Sequence, residues 1–151
     1  MKFDTKRYAA VIENLTDVTE FVEACADDFG LDARKKCGLL LALEEAFVNV
    51  CNYAYPNGKG DVEISCGRND NTFVLEIADK ESPFDALSLP EPDLSPGISD
   101  RQIGGLGIHF IRTLSDSVSY RRENNRNLLR MSFERLKRVY HQNAGKFFQK
   151  E

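Results

Sequence analysis

The chain has 151 residues, of which 42% are hydrophobic and 29% charged, a balance typical of one globular domain with its own core. A net charge of −4 argues against non-specific binding to nucleic acid. No apolar run is long enough to cross a membrane and the first residues lack a signal-peptide pattern, so we expect a cytoplasmic protein. The four cysteines, Cys25, Cys37, Cys51 and Cys66, form no CxxC pair and are expected to be reduced, packed thiols rather than zinc ligands.

The beginning of the chain predicts a strand followed by a helix. Arg7–Asn14 alternates partly between apolar and polar residues, which indicates a first strand at a sheet edge. Thr16 or Asp17 is placed to cap a helix that ends at Gly30.

A second, longer helix follows, capped by Asp32 and closed by the breaker cluster Tyr55-Pro56-Asn57-Gly58. At 100° per residue, Glu45, Asn49 and Asn52 fall on one narrow polar strip of this helix. The residues of its predicted core face are Leu39, Leu43, Ala46, Phe47, Val50 and Ala54.

The polar strip has two interpretations. A carboxylate one turn before a carboxamide suits a metal–phosphate group, because Asn49 offers a neutral oxygen to a hard cation and Glu45 can accept a proton. Alternatively, both side chains simply face solvent at a wet helix edge, as mid-helix polar strips usually do.

The middle of the chain predicts a β-hairpin and a long loop. Asp61–Gly67 and Thr72–Asp79 are apolar-rich strands joined by a polar turn. Glu81–Ile103 contains four of the five prolines of the chain and shows no periodicity, which is typical of a lid or binding loop; disorder is the alternative.

The rest of the chain predicts a helix and two strands. An apolar helix follows Gly104-Gly105-Leu106-Gly107, and Ser117–Glu123 and Asn127–Leu136 are the last strands. Residues 1–136 then form a single domain, and 137–151 a polar tail. The sum predicts a two-layer α+β sandwich, with helices on one face of a mainly antiparallel, mixed sheet.

Two further features carry chemistry. Asp79 ends the apolar face of its strand, so its carboxylate is placed for a buried hydrogen bond, for example with an amino group of a heterocyclic base; capping of the next turn is the alternative. Glycines that open a helix, here Gly104–Gly107, favour phosphate at the exposed amides, although a simple tight turn has the same composition. Arg101 precedes them and is placed to meet a terminal phosphate.

The order of these features resembles the GHKL ATPase superfamily and, within it, the anti-sigma-factor serine/threonine kinases of bacterial partner-switching systems. The stretch LALEEAFVNVCNYAYP, which begins at Leu41, is the most specific part of a resemblance that covers Thr16 to Phe133. It implies a Bergerat-type ATP-binding fold with ATP and Mg²⁺ as cofactors.

The resemblance implies a role for each polar residue of the second helix and the hairpin. Glu45 would be the general base, Asn49 the Mg²⁺ ligand and Asp79 the adenine contact. Asn52 and Tyr53 would line the pocket near the nucleotide.

The resemblance also assigns the later segments. Glu81–Ile103 would be the ATP lid, and the glycine cluster the phosphate loop. The ATP-binding residues implied here are Pro83, Phe84, Arg101, Gly104, Gly105, Leu106, Gly107 and, on the last strand, Asn127.

Three positions depart from the family pattern. Glu81 stands where the family usually has a glycine two residues after the adenine-binding Asp. Arg126-Asn127 replaces a late Gly-Thr pair, and Asn127 offers a similar hydrogen bond. Arg101 is shifted from the spacing usual for the phosphate-contacting arginine.

The leading functional hypothesis is a Mg-ATP-dependent protein serine/threonine kinase. The resemblance implies that it phosphorylates an anti-sigma-factor antagonist and sequesters a sigma factor or similar regulator, with no direct nucleic-acid or membrane partner. The first strand would allow pairing with a second copy in a homodimer. The alternatives are a non-catalytic, nucleotide-responsive binding switch, which Glu81 motivates, and an ATP-hydrolysing domain.

Overall fold

A computed structural model describes residues 1–55, 59–80 and 105–135. Strand β1 is Lys2–Ala9, a 3₁₀ turn spans Ile12–Asn14, helix α1 is Leu15–Phe29 and helix α2 is Ala33–Asn49. A π-helical turn, Val50–Ala54, continues α2. Strands β2 (Asp61–Arg68) and β3 (Thr72–Asp79) precede helix α3 (Gly105–Leu114), and β4 (Ser117–Glu123) and β5 (Arg126–Glu134) follow it.

The five described strands form one sheet in the order β1-β2-β3-β5-β4. Every adjacent pair is antiparallel, so no parallel pair occurs among the described strands. The helices cover one face, on which alternate residues of β2, β3 and β5 meet the buried side of α1 and α2. The predicted two-layer α+β class is confirmed.

The core lies between the sheet and the helices. Its fully buried large side chains come from α2, from the central strands and from α3, as expected when one face of a sheet is covered and the other is open. These side chains include Leu39, Leu43, Phe47, Ile64, Phe73, Leu75, Ile77, Ile111, Met131 and Phe133. The open face instead carries polar cross-strand pairs, such as Thr5–Ser65 and Glu76–Arg130.

The predicted first strand is displaced. The strand is Lys2–Ala9 rather than Arg7–Asn14, and it pairs along its whole length with β2. Most of its side chains are exposed, so an apolar alternation could not mark it; the backbone ladder to β2 defines it instead. Asn14 is the cap residue of α1, in place of Thr16 or Asp17, and its side-chain amide donates to the carbonyl of Ala9 at 2.9 Å.

The end of α2 also differs from the prediction. The amide of Tyr55 donates to the carbonyl of Val50 at 3.1 Å, the i→i+5 bond of a π turn. The wider turn moves the buried side by one residue, so Cys51 and Tyr55 are buried whereas Val50 and Ala54 are only half-buried. A wheel drawn at 100° per residue cannot show this shift.

The remaining helix and strand boundaries agree closely with those predicted from the sequence. Asp32 caps α2 by accepting from the amide of Lys35 at 3.1 Å, and β3 and β4 have the predicted bounds. Strand β5 begins at Arg126 and ends at Glu134, rather than running from Asn127 to Leu136. The turn before it uses Asn124 and Asn125 at φ 52° and 60°, a left-handed pair that asparagine tolerates. The predicted tail, 137–151, lies outside the described residues.

Gly60 provides a test of this packing. A β-carbon at Gly60 would overlap the ring of buried Tyr55, whose hydroxyl accepts from the amide of Lys80 at 2.8 Å. Gly60→Ala should therefore displace the ring and lower the free energy of unfolding by about 1–3 kcal/mol, the usual cost of overpacking. Chemical denaturation measures this. Lys59→Ala, at an exposed neighbour, should leave the free energy of unfolding unchanged, and equal stability of both variants would contradict the packing described.

Candidate functional site

Two buried polar side chains face each other at one end of the central strands. Asp79 ends β3 and pairs across the ladder with Asn127 of β5. The side chains are only 8% and 5% exposed, and the Asn127 amide nitrogen Nδ2 donates to Asp79 Oδ1 at 2.9 Å. A buried carboxylate is costly unless it is hydrogen-bonded, so this contact keeps Asp79 in place.

Strand β4 fixes the orientation of Asn127. The hydroxyl of Tyr120 donates to Asn127 Oδ1 at 2.6 Å, and the guanidinium of Arg122 donates to the same oxygen at 3.1 Å. Two donors on one atom identify it as the carbonyl oxygen, so the NH₂ group must point to Asp79. Tyr120 and Arg122 were not among the predicted site residues. Their alternation along β4 and the hairpin of β4 with β5 could be predicted from the sequence, but the convergence of both side chains on the amide of Asn127 could not.

Helix α2 carries the predicted acid and amide. Glu45 and Asn49 are both half-buried and lie one helical turn apart, whereas Glu44 is exposed. Burial raises the pKa of Glu45 above its usual range, and the negative charge of Glu44 raises this pKa further. A carboxylate with a raised pKa is a stronger proton acceptor than an ordinary surface glutamate.

The π turn separates Asn52 from these two residues. Asn52 is exposed within the turn, whereas Glu45 and Asn49 are half-buried, so the predicted three-residue strip does not continue unchanged to Asn52. Tyr53 belongs to the same turn by its backbone. Single π turns inside helices are frequent at functional sites, and the contact of Asn52 and Tyr53 with a nucleotide stays a prediction.

Helix α3 begins at the glycine cluster. Gly105, Leu106 and Gly107 are its first three residues, and the helix packs on α2 where Leu114 lies against Gly38. Its buried Ile111 anchors it in the core. The predicted contacts Pro83, Phe84, Arg101 and Gly104, and the predicted lid Glu81–Ile103, lie outside the described residues.

The donor atoms of the described residues restrict how a metal could bind. Within residues 1–55, 59–80 and 105–135 no three His, Cys, Asp or Glu side chains converge on one point. A Mg²⁺ held mainly by nucleotide phosphates and water needs few protein ligands, and a carboxamide such as that of Asn49 suits it. In the same part of the chain no helix has the length and apolar character needed to span a membrane.

Comparison with known proteins defines the class. The profile of the histidine kinase-like ATPase domain matches residues 8–133, so the chain belongs to that family. The predicted superfamily is thereby confirmed.

Individual similar proteins give a more specific comparison than the family profile. The chain is 26% identical over 132 residues to the serine/threonine-protein kinase BtrW of Bordetella bronchiseptica, a match that covers 87% of this chain and 93% of that protein. It is 29% identical over 82 residues to the serine-protein kinase RsbW of Bacillus thuringiensis, covering 52% of this chain and 51% of that protein. The RsbU and RsbW domains of Rv1364c from Mycobacterium tuberculosis share its fold, with a TM-score of 0.60 at 12% identity over 91% of this chain and 35% of that one.

The pKa of Glu45 can be tested directly. Removing the neighbouring charge with Glu44→Gln should move the Glu45 pKa down, because a nearby negative charge favours the protonated acid. Carboxyl-carbon NMR titration of the wild type and this variant measures the shift. Glu20→Gln, an exposed glutamate on α1, should leave the Glu45 titration where it is. A Glu45 pKa at or below its ordinary value in the wild type would contradict the burial described.

Proposed function

We propose that this protein is a Mg-ATP-dependent protein serine/threonine kinase. The observation that carries the proposal is the buried, oriented Asp79–Asn127 pair, together with a half-buried Glu45 of raised pKa on α2. Membership in the histidine kinase-like ATPase domain family supports the use of ATP. Two relatives whose names are protein kinases support transfer to a protein hydroxyl.

Asp79 would recognise the base. Its carboxylate accepts from Asn127, and this bond holds the side chain in one orientation at the end of β3. A fixed acceptor in a buried setting favours an exocyclic amino group, as adenine has, and disfavours a carbonyl at that position. Tyr120 and Arg122 would contribute indirectly by keeping the amide of Asn127 turned toward Asp79.

The phosphates would lie between α2 and the start of α3. Asn49 would be the protein ligand of the Mg²⁺, and the first backbone amides of α3, at Gly105, Leu106 and Gly107, would donate hydrogen bonds to the phosphate oxygens. When bound, Mg²⁺ would neutralise charge on the transferring phosphoryl group. The packing of α3 on α2 through Leu114 and Gly38 would keep these two elements in register.

Glu45 would act as the general base. Its partial burial favours proton acceptance from a serine hydroxyl of the substrate protein, and Asn49 one turn later would position the nucleotide beside it. The hydroxyl oxygen then attacks the γ-phosphorus, the bond from that phosphorus to the β,γ-bridging oxygen breaks, and ADP leaves.

The proposed partners follow the resemblance of the sequence. The phosphorylated protein would be an anti-sigma-factor antagonist, and the sequestered protein a sigma factor or similar regulator. We further propose that it works in the cytoplasm and that a homodimer forms. The runner-up is a nucleotide-responsive binding switch without transfer, which is favoured by Glu81 in place of the usual glycine.

Base recognition is tested with Asp79→Asn. The variant keeps the shape and the acceptor for Asn127 but presents an NH₂ group where the carboxylate oxygen accepted. Calorimetry with Mg-ATP should show affinity weaker by about 1–3 kcal/mol, the cost of losing a buried hydrogen bond to a charged group. Asp70→Asn, on the exposed turn between β2 and β3, should bind as the wild type does.

Tyr120→Phe tests the orienting contact in the same assay. It should weaken ATP binding by only about 0.5–1.5 kcal/mol, because Arg122 still donates to Asn127. In this variant the affinity for ATP relative to the affinity for GTP should also fall. If Asp79→Asn binds Mg-ATP as tightly as the wild type does, the proposed adenine contact of Asp79 is wrong.

The catalytic role is tested with Glu45→Gln. This variant should still bind Mg-ATP, since the proposed nucleotide contacts belong to other residues, but transfer to a candidate antagonist's serine should fall by roughly 10²–10⁴. Labelled γ-phosphate measures transfer, and calorimetry measures binding. Glu44→Gln should retain transfer and move the acidic limb of the pH profile to lower pH, because it lowers the pKa of Glu45. If the wild type binds Mg-ATP but phosphorylates no partner, the binding switch is the correct function.

A further inference from the structure

A cavity lies between α1 and the β1–β2 edge of the sheet. Its volume is about 340 Å³, and its walls include Phe21 and Cys25 of α1 and Cys66 and Phe73 of the sheet. Cys66 faces Leu75 in the ladder, whereas Asp79 faces Val62. Four residues along β2 correspond to about 13 Å, so this cavity is separate from the Asp79–Asn127 site.

Two thiols line this cavity. Cys25 lies on its α1 wall and Cys66 on its β2 wall, and each thiol is near enough to affect the pKa of the other. Cys25 is half-buried, whereas Cys66 is only 5% exposed. Cys25 is therefore the more accessible of the two thiols.

The surroundings make the two thiols unequal. Burial raises the pKa of both thiols. At Cys25 the neighbouring Cys66 thiol and the charge of Lys6 lower the pKa, whereas the charges of Asp4 and Asp28 raise it. For Cys66 the neighbouring Cys25 raises the pKa further. Cys25 therefore ionises first, and an ionised sulfur beside an intact thiol is the arrangement of an attacking and a resolving cysteine.

We propose that Cys25 and Cys66 are a thiol-modification site, at which a low-molecular-weight disulfide such as oxidised glutathione converts the pair into an intramolecular disulfide. The bond would tie α1 covalently to β2. This inference is independent of the proposed kinase function, since it uses neither the nucleotide nor the residues assigned to it.

The proposed reaction consists of two successive thiol–disulfide exchanges. The thiolate of Cys25 attacks one sulfur of the small disulfide, a mixed disulfide forms, and the other half leaves as a thiolate. Cys66 then attacks the sulfur of Cys25, its proton passes to the departing small thiolate, and the second half leaves. The protein loses two hydrogens, and one molecule of small disulfide is reduced to two thiols.

The other two cysteines serve as internal controls. Cys37 is exposed on α2 and lies outside the cavity that Cys25 and Cys66 line, so any mixed disulfide there should persist. Cys51 is buried, and burial raises its pKa to about 11, so it should react least. Of the four cysteines, only the Cys25–Cys66 pair has both a thiol that a reagent can reach and a second thiol that can then displace the reagent.

The experiment treats the full chain, without denaturant, with oxidised glutathione and follows intact mass and non-reducing peptide maps. The Cys37→Ser protein should lose two hydrogens and yield a Cys25–Cys66 cross-linked peptide, reversed by dithiothreitol. The rate should rise about tenfold per pH unit while the pH stays below the pKa of Cys25, because the thiolate is the attacking form. In the Cys37→Ser/Cys66→Ala protein the glutathione should instead remain attached to Cys25.

The variants also define the outcomes that overturn the proposal. Cys25→Ala in the Cys37→Ser background should give no cross-link. Because Cys25 is only half-buried, this variant can still be tested if the variant at buried Cys66 folds poorly. Circular dichroism before and after treatment confirms that the native protein reacted. A persistent glutathione adduct on Cys25 in the presence of Cys66, or no modification of either cysteine, would disprove the paired site.

Discussion

The buried hydrogen bond between Asp79 and Asn127 is the interaction on which the site depends. A carboxylate that is 8% exposed is tolerated only because a neighbouring amide donates to it, and that amide is oriented in turn by Tyr120 and Arg122. The bond requires β3 and β5 to be neighbours in one register. Helix α3 and strand β4 intervene in the chain, so the order of the sheet creates the pair.

Helix α2 supplies the other half of the site from the layer above the sheet. Its buried residues Leu39, Leu43 and Phe47 fix it in the core, which leaves Glu45 and Asn49 at the half-buried margin. The π turn that follows brings Tyr55 under the end of β3, where its hydroxyl accepts from the amide of Lys80. The helix and the strand that carry the site are thus linked directly, rather than only through the core.

The thiol pair and the Asp79–Asn127 site use the same sheet differently. One lies toward the β1 edge under α1, in the cavity that Cys25 and Cys66 line, and the other lies where β3 and β5 meet. Chemistry at the first site would change how firmly α1 is held to β2 without touching a residue of the second. Two independent sites on one small domain are possible because the sheet separates them by several residues of strand.

The sequence by itself determined the class of fold and most strand and helix bounds. It also identified Glu45, Asn49, Asp79 and Asn127 as candidate site residues. These follow from local periodicity and from short motifs, which need no knowledge of distant neighbours. Only the tertiary structure decided the position of β1, the π turn after Asn49, the orienting roles of Tyr120 and Arg122, and the meeting of Cys25 with Cys66. The position of β1 and the meeting of Cys25 with Cys66 depend on segments far apart in the chain, and a local pattern carries no record of which segments pair. The π turn and the contacts of Tyr120 and Arg122 with Asn127 join residues only five to seven positions apart, but they depend on backbone and side-chain geometry that periodicity does not show.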